Sequence, residues 1–258
     1  MNIIFGDIGN TLTKICLVNS KKLKVEKVSY FKSKDILSKK ALHINLKKIL
    51  KNKDLGKMSL FSSVVPKYEL ILKRFFKNFY GIKFIEIKKI PINNLVKIKI
   101  INKKQIGSDR IANAVGALKK YKKNCIILDF GTATTFDVVT KDGVYNGGII
   151  APGVSLSIKS LVNTAEQIPD FSLIKQKRAV GKNTIQALRS GFYWGYAGLI
   201  NNIILKVEKE TKKKYKIIFT GGYADLFKTS IIRPFEIDKN ITIHGIIEIF
   251  KFNKKYFN

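Results

Sequence analysis

The sequence is poor in cysteine, histidine and acidic residues, and each shortage narrows the classes of protein to consider. Two cysteines among 258 residues, Cys16 and Cys125, exclude the small secreted scaffolds that depend on many disulfides. Each is flanked by apolar residues as in a strand core, which predicts buried thiols in a reducing cytoplasm. The two histidines, His43 and His244, belong to no motif and are expected to be structural or exposed.

Long hydrophobic runs are also lacking. The longest apolar stretches, such as residues 191–205, are shorter than the roughly 18 apolar residues that a membrane-spanning helix needs. The first residues enter a strand-like run directly, without the basic segment and cleavage site of a secretory signal. Because 45% of the residues are hydrophobic, the chain can still bury a core, so we expect a globular cytoplasmic protein with no membrane partner.

Acidic residues number only 18 against 49 lysines and arginines, which gives a formal net charge of +31. This excess suggests nucleic-acid binding, because a protein that neutralises phosphates gains affinity from released counterions. The basic residues are overwhelmingly lysine, however, and arginine is the usual reader of phosphates and bases. An AT-rich coding bias explains the abundant lysine, isoleucine and asparagine equally well. We expect no specific nucleic-acid partner, only weak adhesion to polyanions at low salt.

What the sequence does contain is a strand, a polar turn and a second strand, in two copies. The first turn begins at Asp7 after the apolar run 2–5, and the second begins at Asp129 after the run 125–128. The aligned positions are Asp7 with Asp129, Gly9 with Gly131, Asn10 with Thr132, and Thr13 with Thr135. The repeat predicts two similar α/β halves.

The chemistry of both turns suits a phosphate. Glycine lets backbone N–H groups approach closely, and short hydroxyl or amide side chains add donors. An Asp beside phosphates is repulsive unless a cation or a held water lies between them, so each Asp implies a bound metal or water. A single copy is equally well explained as an ordinary hairpin turn, but the repetition disfavours that explanation. A third glycine turn, Gly221-Gly222, follows a strand and completes the motif order of ATPases of the actin, hexokinase and Hsp70 class.

Helical spacing is visible in four further places. It predicts one or two helices within 34–51, a helix over 68–79 that Gly81 ends, a helix after 107–110, and a long helix from Thr184 to about Lys212. Residues 82–101 alternate apolar and basic side chains and predict short strands or a connecting loop, and residues 215–219 predict a last strand.

The detailed motifs resemble those of type III pantothenate kinases, in the family's order and over most of the chain. The matching segments are residues 7–11, 107–110, 129–137, 147–153, 181–184 and 191–198. The resemblance implies an α/β fold of duplicated ribonuclease H-like (actin-like ATPase) halves with a central ATP cleft, which we divide as 1–115 and 116–258. It also implies the ATP-dependent phosphorylation of pantothenate to 4′-phosphopantothenate, the first step of coenzyme A biosynthesis.

The resemblance assigns roles to individual residues. Asp109 is implied as the general base, Asp7 as the residue near Mg²⁺ through water, and Asp129 as the ligand of a monovalent cation, K⁺ or NH4⁺. The implied ATP-binding residues are Asp7, Ile8, Gly9, Asn10, Thr11, Leu12, Thr13, Lys14, Thr132, Gly221 and Gly222. The implied pantothenate-binding residues are Gly107, Ser108, Asp109, Arg110 and Thr184. The glycine-dotted helix after Thr184 is implied to serve a homodimer.

Alternatives remain open at several of these positions. Without the family pattern, Asp109 and Arg110 are more typical of an acidic helix N-terminus beside an exposed Arg on the surface, and Thr184 is equally explained as an N-cap. Ile100 stands in the segment where the family commonly has a Tyr at the pantothenate pocket, so a contact worth about 1 kcal/mol is missing. A transcription accessory protein on the same scaffold and a sugar kinase of the same fold are the two other functions considered. The intact Asp109 argues against the first of these, and the pantothenate-type motifs argue against the second.

Overall fold

The computed structural model describes residues 1–51 and 53–256. The strands within this part of the chain are β1 (Asn2–Ile8), β2 (Leu12–Asn19), β3 (Val25–Lys32), β4 (Leu55–Ser63), β5 (Lys83–Glu86), β6 (Lys97–Ile98), β7 (Cys125–Phe130), β8 (Ala133–Thr140), β9 (Val144–Pro152), β10 (Lys216–Gly221) and β11 (Phe235–Ile237). The α-helices are α1 (Lys39–Leu50), α2 (Pro66–Tyr80), α3 (Ser108–Tyr121), α4 (Val154–Thr164), α5 (Thr184–Thr211) and α6 (Ile241–Phe252).

The chain divides into two compact units. Unit 1 consists of residues 1–122, 142–145 and 240–258, and unit 2 consists of residues 123–141 and 146–239. The predicted boundary between 115 and 116 is corrected, because it falls inside α3. The last segment also returns to unit 1, where α6 packs against α3. A single cut in the sequence cannot describe this division.

Unit 1 contains a five-stranded sheet in the order β3-β2-β1-β4-β5. The first three strands in sequence are antiparallel neighbours, and β4 and β5 then add in parallel beside β1. Its core is formed by apolar side chains of the sheet together with α1 and α2, including Leu17, Leu46, Phe61 and Phe76. The short strand β6 pairs with Val144 and Tyr145 at the start of β9.

Unit 2 repeats the same strand order, as β9-β8-β7-β10-β11. Strand β8 is antiparallel to β7, whereas β10 and β11 run parallel to it, as β4 and β5 do beside β1. The core here joins the sheet to one face of α5 through Tyr193, Ile200 and Ile204. The predicted α/β fold with duplicated halves is confirmed at the level of strand order.

The predicted helices are present where the spacing placed them. α2 covers the predicted 68–79 and ends at Gly81, whose φ of 64° is the left-handed conformation of a helix C-cap. The segment 34–51 contains a 3-10 turn followed by α1, and α3 begins within the 107–110 motif. Six strands and α-helices were not predicted from the sequence: β3, β4, β9, β11, α4 and α6. None of the helices built from the described residues combines the length and hydropathy required to span a bilayer.

Candidate active site

The turn of the first hairpin is closed by its own backbone and held by one serine. The N–H of Gly9 donates to the carbonyl of Leu12 at 3.1 Å. The hydroxyl of Ser33 donates to the carbonyl of Gly9 at 2.7 Å, and the Ser33 N–H donates to the carbonyl of Thr11 at 2.9 Å. The tip residues Asn10, Thr11 and Leu12 remain exposed. The backbone of the loop is therefore held by Ser33, while the side chains at its tip are accessible to a ligand.

The two predicted ATP-binding residues that follow this tip are buried. Thr13 is fully buried, and its hydroxyl lies 2.9 Å from that of Ser33, so this hydroxyl supports the loop from inside. Lys14 lies opposite Asp7 in the hairpin register, and its ammonium donates to Oδ1 of Asn240, the residue before α6. Lys14 thus places a positive charge beside Asp7.

The start of α3 is tied to the strand next to Asp7. In the parallel register of β1 and β4, Asp7 lies beside Ser62. The hydroxyl of Ser108 accepts from the N–H of Ser63 at 2.7 Å and donates to the Ser63 carbonyl at 2.7 Å. The Ser62 hydroxyl donates to Ser108 at 3.3 Å. Unit 1 therefore brings the Asp7 loop and the segment 107–110 together, although they are about 100 positions apart in sequence.

The carboxylate of Asp109 folds back over the residue before the helix. Its Oδ1 accepts from the N–H of Arg110 at 2.8 Å. A Cβ at position 107 would lie 2.3 Å from Oδ1 of Asp109, so Gly107 leaves the space that the carboxylate occupies. Gly107 is required here for its small size, since its backbone conformation is an ordinary extended one.

Burial raises the pKa of Asp109 above its ordinary value. The Arg110 N–H, the Arg110 guanidinium and the Lys88 charge oppose this rise. A carboxylate with a raised pKa is a better proton acceptor, because the pKa of an efficient base lies closer to the working pH. The environment of Asp109 therefore differs from that of an ordinary surface acid at a helix N-terminus.

The turn of the second hairpin is shorter than the first. The N–H of Gly131 donates to the carbonyl of Ala133 at 3.1 Å, and Thr132 at the tip is exposed. In the strand register Asp129 lies opposite Thr135, whereas Asp7 lies opposite Lys14. The sequence alignment of Thr13 with Thr135 is therefore wrong by one residue. The structural counterpart of Thr13 is Thr134, and both of these threonines are fully buried.

The predicted third glycine turn lies directly beside this second hairpin. Thr220 is the neighbour of Asp129 on β10, and the N–H of Gly222 donates to the Phe130 carbonyl at 3.0 Å. Gly221 has a φ of 84°, and a Cβ there would lie 2.7 Å from Oδ1 of Asp129. Only glycine combines this conformation with such a close approach. The Asp129 loop and the Gly221-Gly222 turn thus form one continuous surface within unit 2.

The alternative that Thr184 is the N-cap of α5 is wrong. The N-cap of this helix is Asn183, whose side chain accepts from the N–H of Gln186 at 2.9 Å. Thr184 is the first helical residue and is exposed. Its hydroxyl is therefore not needed as a cap.

The two aspartates fit cations in different ways. Within the described residues, no group of three or more His, Cys, Asp or Glu side chains could hold a metal ion. A magnesium site made of one carboxylate, nucleotide phosphates and water needs no such group. Asp7, half-buried beside a phosphate-sized loop, fits that arrangement. Asp129, half-buried between two threonine-bearing strand positions, fits a cation bound mainly by oxygens.

Several supporting residues could not be identified from the sequence. Ser33 lies beyond a strand that the periodicity did not reveal, and Ser62 and Ser63 end β4, a strand that was not predicted. Lys88 is one lysine among many, yet its ammonium donates to two backbone carbonyls ahead of α3. Only the fold shows which of these common residues contact the candidate site.

Comparison with known proteins agrees with these motifs. The family model described as type III pantothenate kinase matches residues 3–206. A type III pantothenate kinase of Pelagibacter ubique (strain HTCC1062) is 53% identical over 250 residues, covering 95% of this chain and 97% of that protein. Another, from Jannaschia sp. (strain CCS1), is 37% identical over 195 residues, covering 76% of this chain and 75% of that protein.

A solved structure supports the fold. The activator of the 2-hydroxyisocaproyl-CoA dehydratase from Clostridium difficile aligns with a TM-score of 0.57 at 10% identity, covering 99% of this chain and 97% of that chain. At this identity the likeness shows the fold alone.

Proposed function

Because the chain belongs to the type III pantothenate kinase family, we propose that it transfers the γ-phosphoryl group of ATP to pantothenate and that Asp109 is the general base. The product is 4′-phosphopantothenate, and the reaction is the first step of coenzyme A biosynthesis. The observation that carries the role of Asp109 is its place at the start of α3. There its carboxylate is half-buried with a raised pKa, and the preceding residue is bonded to the strand beside Asp7.

The proposed chemistry needs one proton acceptor and precise alignment. The Asp109 carboxylate accepts the proton of the pantothenate hydroxyl as that oxygen bonds to the γ-phosphorus, while the bond between this phosphorus and the leaving oxygen of ADP breaks. A protein catalyses phosphoryl transfer chiefly by positioning the reactants and neutralising their charge. A magnesium ion bound with ATP supplies part of that neutralisation. Arg110 and Lys14 add fixed positive charge in unit 1, and Arg110 is assigned to substrate or phosphate.

The remaining ligand contacts are assigned mainly to residues that are exposed in each loop. In unit 1, the exposed tip of the first hairpin (Asn10, Thr11 and Leu12) is assigned to the ATP phosphates. In unit 2, Thr132 and the Gly221-Gly222 turn are assigned to ATP, and Asp129 to a monovalent cation, K⁺ or NH4⁺. Thr184 is assigned to pantothenate, since its hydroxyl is exposed and not used as a cap. Ile100 stands where a tyrosine contact is expected, which lowers affinity for pantothenate rather than the rate of the chemical step.

We also propose that the protein is a homodimer formed through α5. Gly191, Gly195 and Gly198 lie on one face of this helix. Apart from adjacent residues and the helix's own nearby backbone, no atom of the described residues lies within 4 Å of a Cβ built at any of them. Trp194 and Leu205 on that face are 39% and 48% exposed. A face of small and apolar residues permits close helix contact. Light scattering should give twice the chain mass, and a monomer at micromolar concentration would contradict the proposal.

A reducing compartment is consistent with the cysteines. Cys16 and Cys125 are both free and buried. Burial raises the pKa of the Cys16 thiol to about 11 and that of Cys125 to about 12, so neither is a reactive thiolate. We place the protein in the cytoplasm on this ground.

The function is tested by measuring ADP release from purified protein with ATP, Mg²⁺ and K⁺. Pantothenate should stimulate the release strongly, whereas glucose and a pantothenate analogue lacking the primary hydroxyl should not. The analogue is the sharper control, since it can bind without offering an oxygen to the γ-phosphate. Equal stimulation by glucose would favour a sugar kinase, and no stimulation by pantothenate would refute the proposed activity.

A further inference from the structure

Besides the bonds between Ser108 and Ser63, a second set of hydrogen bonds holds residues 104–107 in front of α3. These bonds come from the 3-10 turn after β5. The turn covers Ile87–Lys89 and is fixed by Glu86, whose Oε2 accepts from the N–H of Lys88 at 2.8 Å. The Lys88 ammonium then donates to the carbonyls of Lys104 and Ile106, both at 3.0 Å. One side chain therefore spans from the edge of the sheet to the residues immediately before Gly107.

These contacts complete a clamp on the segment that carries Asp109. After Gly107, the Ser108 hydroxyl binds the backbone of Ser63 as both donor and acceptor, so that side is fixed to β4. Before Gly107, the N–H groups of Lys104 and Gln105 donate to nearby Asn102, whereas the two bonds from Lys88 join the segment to the turn after β5. The Asp109 carboxylate lies against Gly107, the residue between the part of the segment held by Lys88 and the part held by Ser108.

We infer that Lys88 is a positioning residue for the phosphoryl transfer, because it fixes residues 104–107 and thereby the place of the Asp109 carboxylate. This inference rests on the proposed role of Asp109 as the base. The reaction is sensitive to such a tether, since a misplacement of about 1 Å at a reacting group can reduce a rate by about 100-fold. Lys88 itself reaches backbone carbonyls and is not assigned to substrate.

The stability cost of removing this tether is expected to be small. Lys88 is exposed, so water can replace it at both carbonyls once the side chain is shortened. The free energy of unfolding should change little, while the mobility of residues 104–107 should increase. A change in rate without a matching change in melting temperature therefore separates positioning from general destabilisation.

The test compares Lys88→Met with Lys89→Met. Lys89 follows in the same turn, is 62% exposed and forms an ion pair with Glu69 on α2, so it controls for loss of a lysine there. Lys88→Met should reduce kcat about 10-fold with the KM for ATP within about twofold of the parent, and its melting temperature should fall by less than about 2 °C. Lys88→Arg should restore most of the rate, because a guanidinium can also donate to both carbonyls. Lys89→Met should leave kcat unchanged.

A double variant decides whether Lys88 acts through Asp109. In single-turnover assays with labelled ATP, Lys88→Met should cause no further loss when Asp109 is already replaced by Asn. An equal loss in both backgrounds, or parent-like kcat in Lys88→Met, would overturn the inference. If Asp109→Asn retained full activity, the failure would instead lie in the proposed base. These outcomes separate the two proposals.

Discussion

The two hairpins have the same strand pairing but different neighbours around their aspartates. Asp7 lies between Lys14 and Ser62 on the adjacent strands, whereas Asp129 lies between Thr135 and Thr220. The duplicated frame therefore places a carboxylate at the same point in each unit and surrounds it with different charge. A lysine beside Asp7 favours an anionic ligand close by, and hydroxyl-bearing residues beside Asp129 favour a weakly held cation.

The difference extends to the residues that follow the aspartates. The turn after Asp7 is one residue longer and is supported by the Ser33 hydroxyl, while the turn after Asp129 is supported by Gly221. The base candidate, Asp109, belongs to unit 1. The two units thus share their strand order and differ in the side chains at equivalent positions.

The largest expected effect is at Asp109. Asp109→Asn removes the proton acceptor but keeps the side-chain size, so kcat should fall by about 10²- to 10⁴-fold while ATP still binds. Steady-state kinetics and a nucleotide-binding titration measure the two quantities. Asp54→Asn is a matched control on the same unit, since the Asp54 side chain is 77% exposed and forms an ion pair with the N-terminus. A variant that keeps more than about a tenth of the parent kcat would contradict the base assignment.

The second effect is a difference in cation dependence between variants of the two hairpin aspartates. Asp7→Asn should lower kcat/KM by about 100-fold and raise the Mg²⁺ concentration needed for half-maximal rate. Asp129→Asn should lower activity by about 10-fold and abolish the difference between K⁺ and Na⁺. Rates measured over a grid of Mg²⁺ and K⁺ concentrations report both. If the two variants changed the response to the same cation, the comparison between the hairpins would be wrong.

The third effect concerns the residue that follows the neighbour of each aspartate on the adjacent strand. In unit 2 this residue is Gly221, which pairs with Phe130, and its counterpart in unit 1 is Ser63, which pairs with Ile8. Gly221→Ala would place a Cβ 2.6 Å from the Phe130 N at a φ of 84°, so the unfolding free energy should fall by roughly 1–3 kcal/mol. For Gly222→Ala the nearest atom is 4.0 Å away, and the stability should change much less. Equal melting temperatures for the two variants would show that the close approach is not required.

The smallest effect is a pH dependence of stability that arises in unit 1. Burial raises the pKa of Glu86 from its ordinary value of 4.5 to about 7, against the hydrogen bond from the Lys88 N–H. Its Oε1 has no hydrogen-bond partner among the described residues. Because the folded-state pKa is the higher one, the contribution of Glu86 to stability is complete below about pH 4.5 and is lost as the pH rises through about 7.

Glu86→Gln removes this proton and keeps the shape. The fall in melting temperature from about pH 5 to pH 8 should therefore be smaller in the variant, by about 2–4 °C. Thermal unfolding of both proteins in a series of buffers measures the difference. The same fall in parent and variant would show that Glu86 does not titrate in this range.

Local patterns predicted a good part of this molecule. The two hairpins, α2 with Gly81 at its end, and the long α5 were visible because turn residues and helical spacing act over a few positions. β3 and α6 were missed. β3 exposes apolar and charged residues without clean alternation, and α6 is almost wholly apolar, so neither has a clear period. The register error at Thr13 arose because the first turn is longer than the second by one residue, a difference that only strand pairing reveals.

By itself, the sequence determined the duplicated α/β frame, the paired aspartate turns and the resemblance to a kinase family. These depend on residue types at short spacing, where glycine and Asp have few substitutes. The tertiary structure alone decided which ordinary serines and lysines support the site. It also returned residues 240–258 to unit 1 and gave Asp7 and Asp129 unlike surroundings. Such contacts join residues far apart in the chain, and their energies depend on distance and burial, which a linear sequence does not specify.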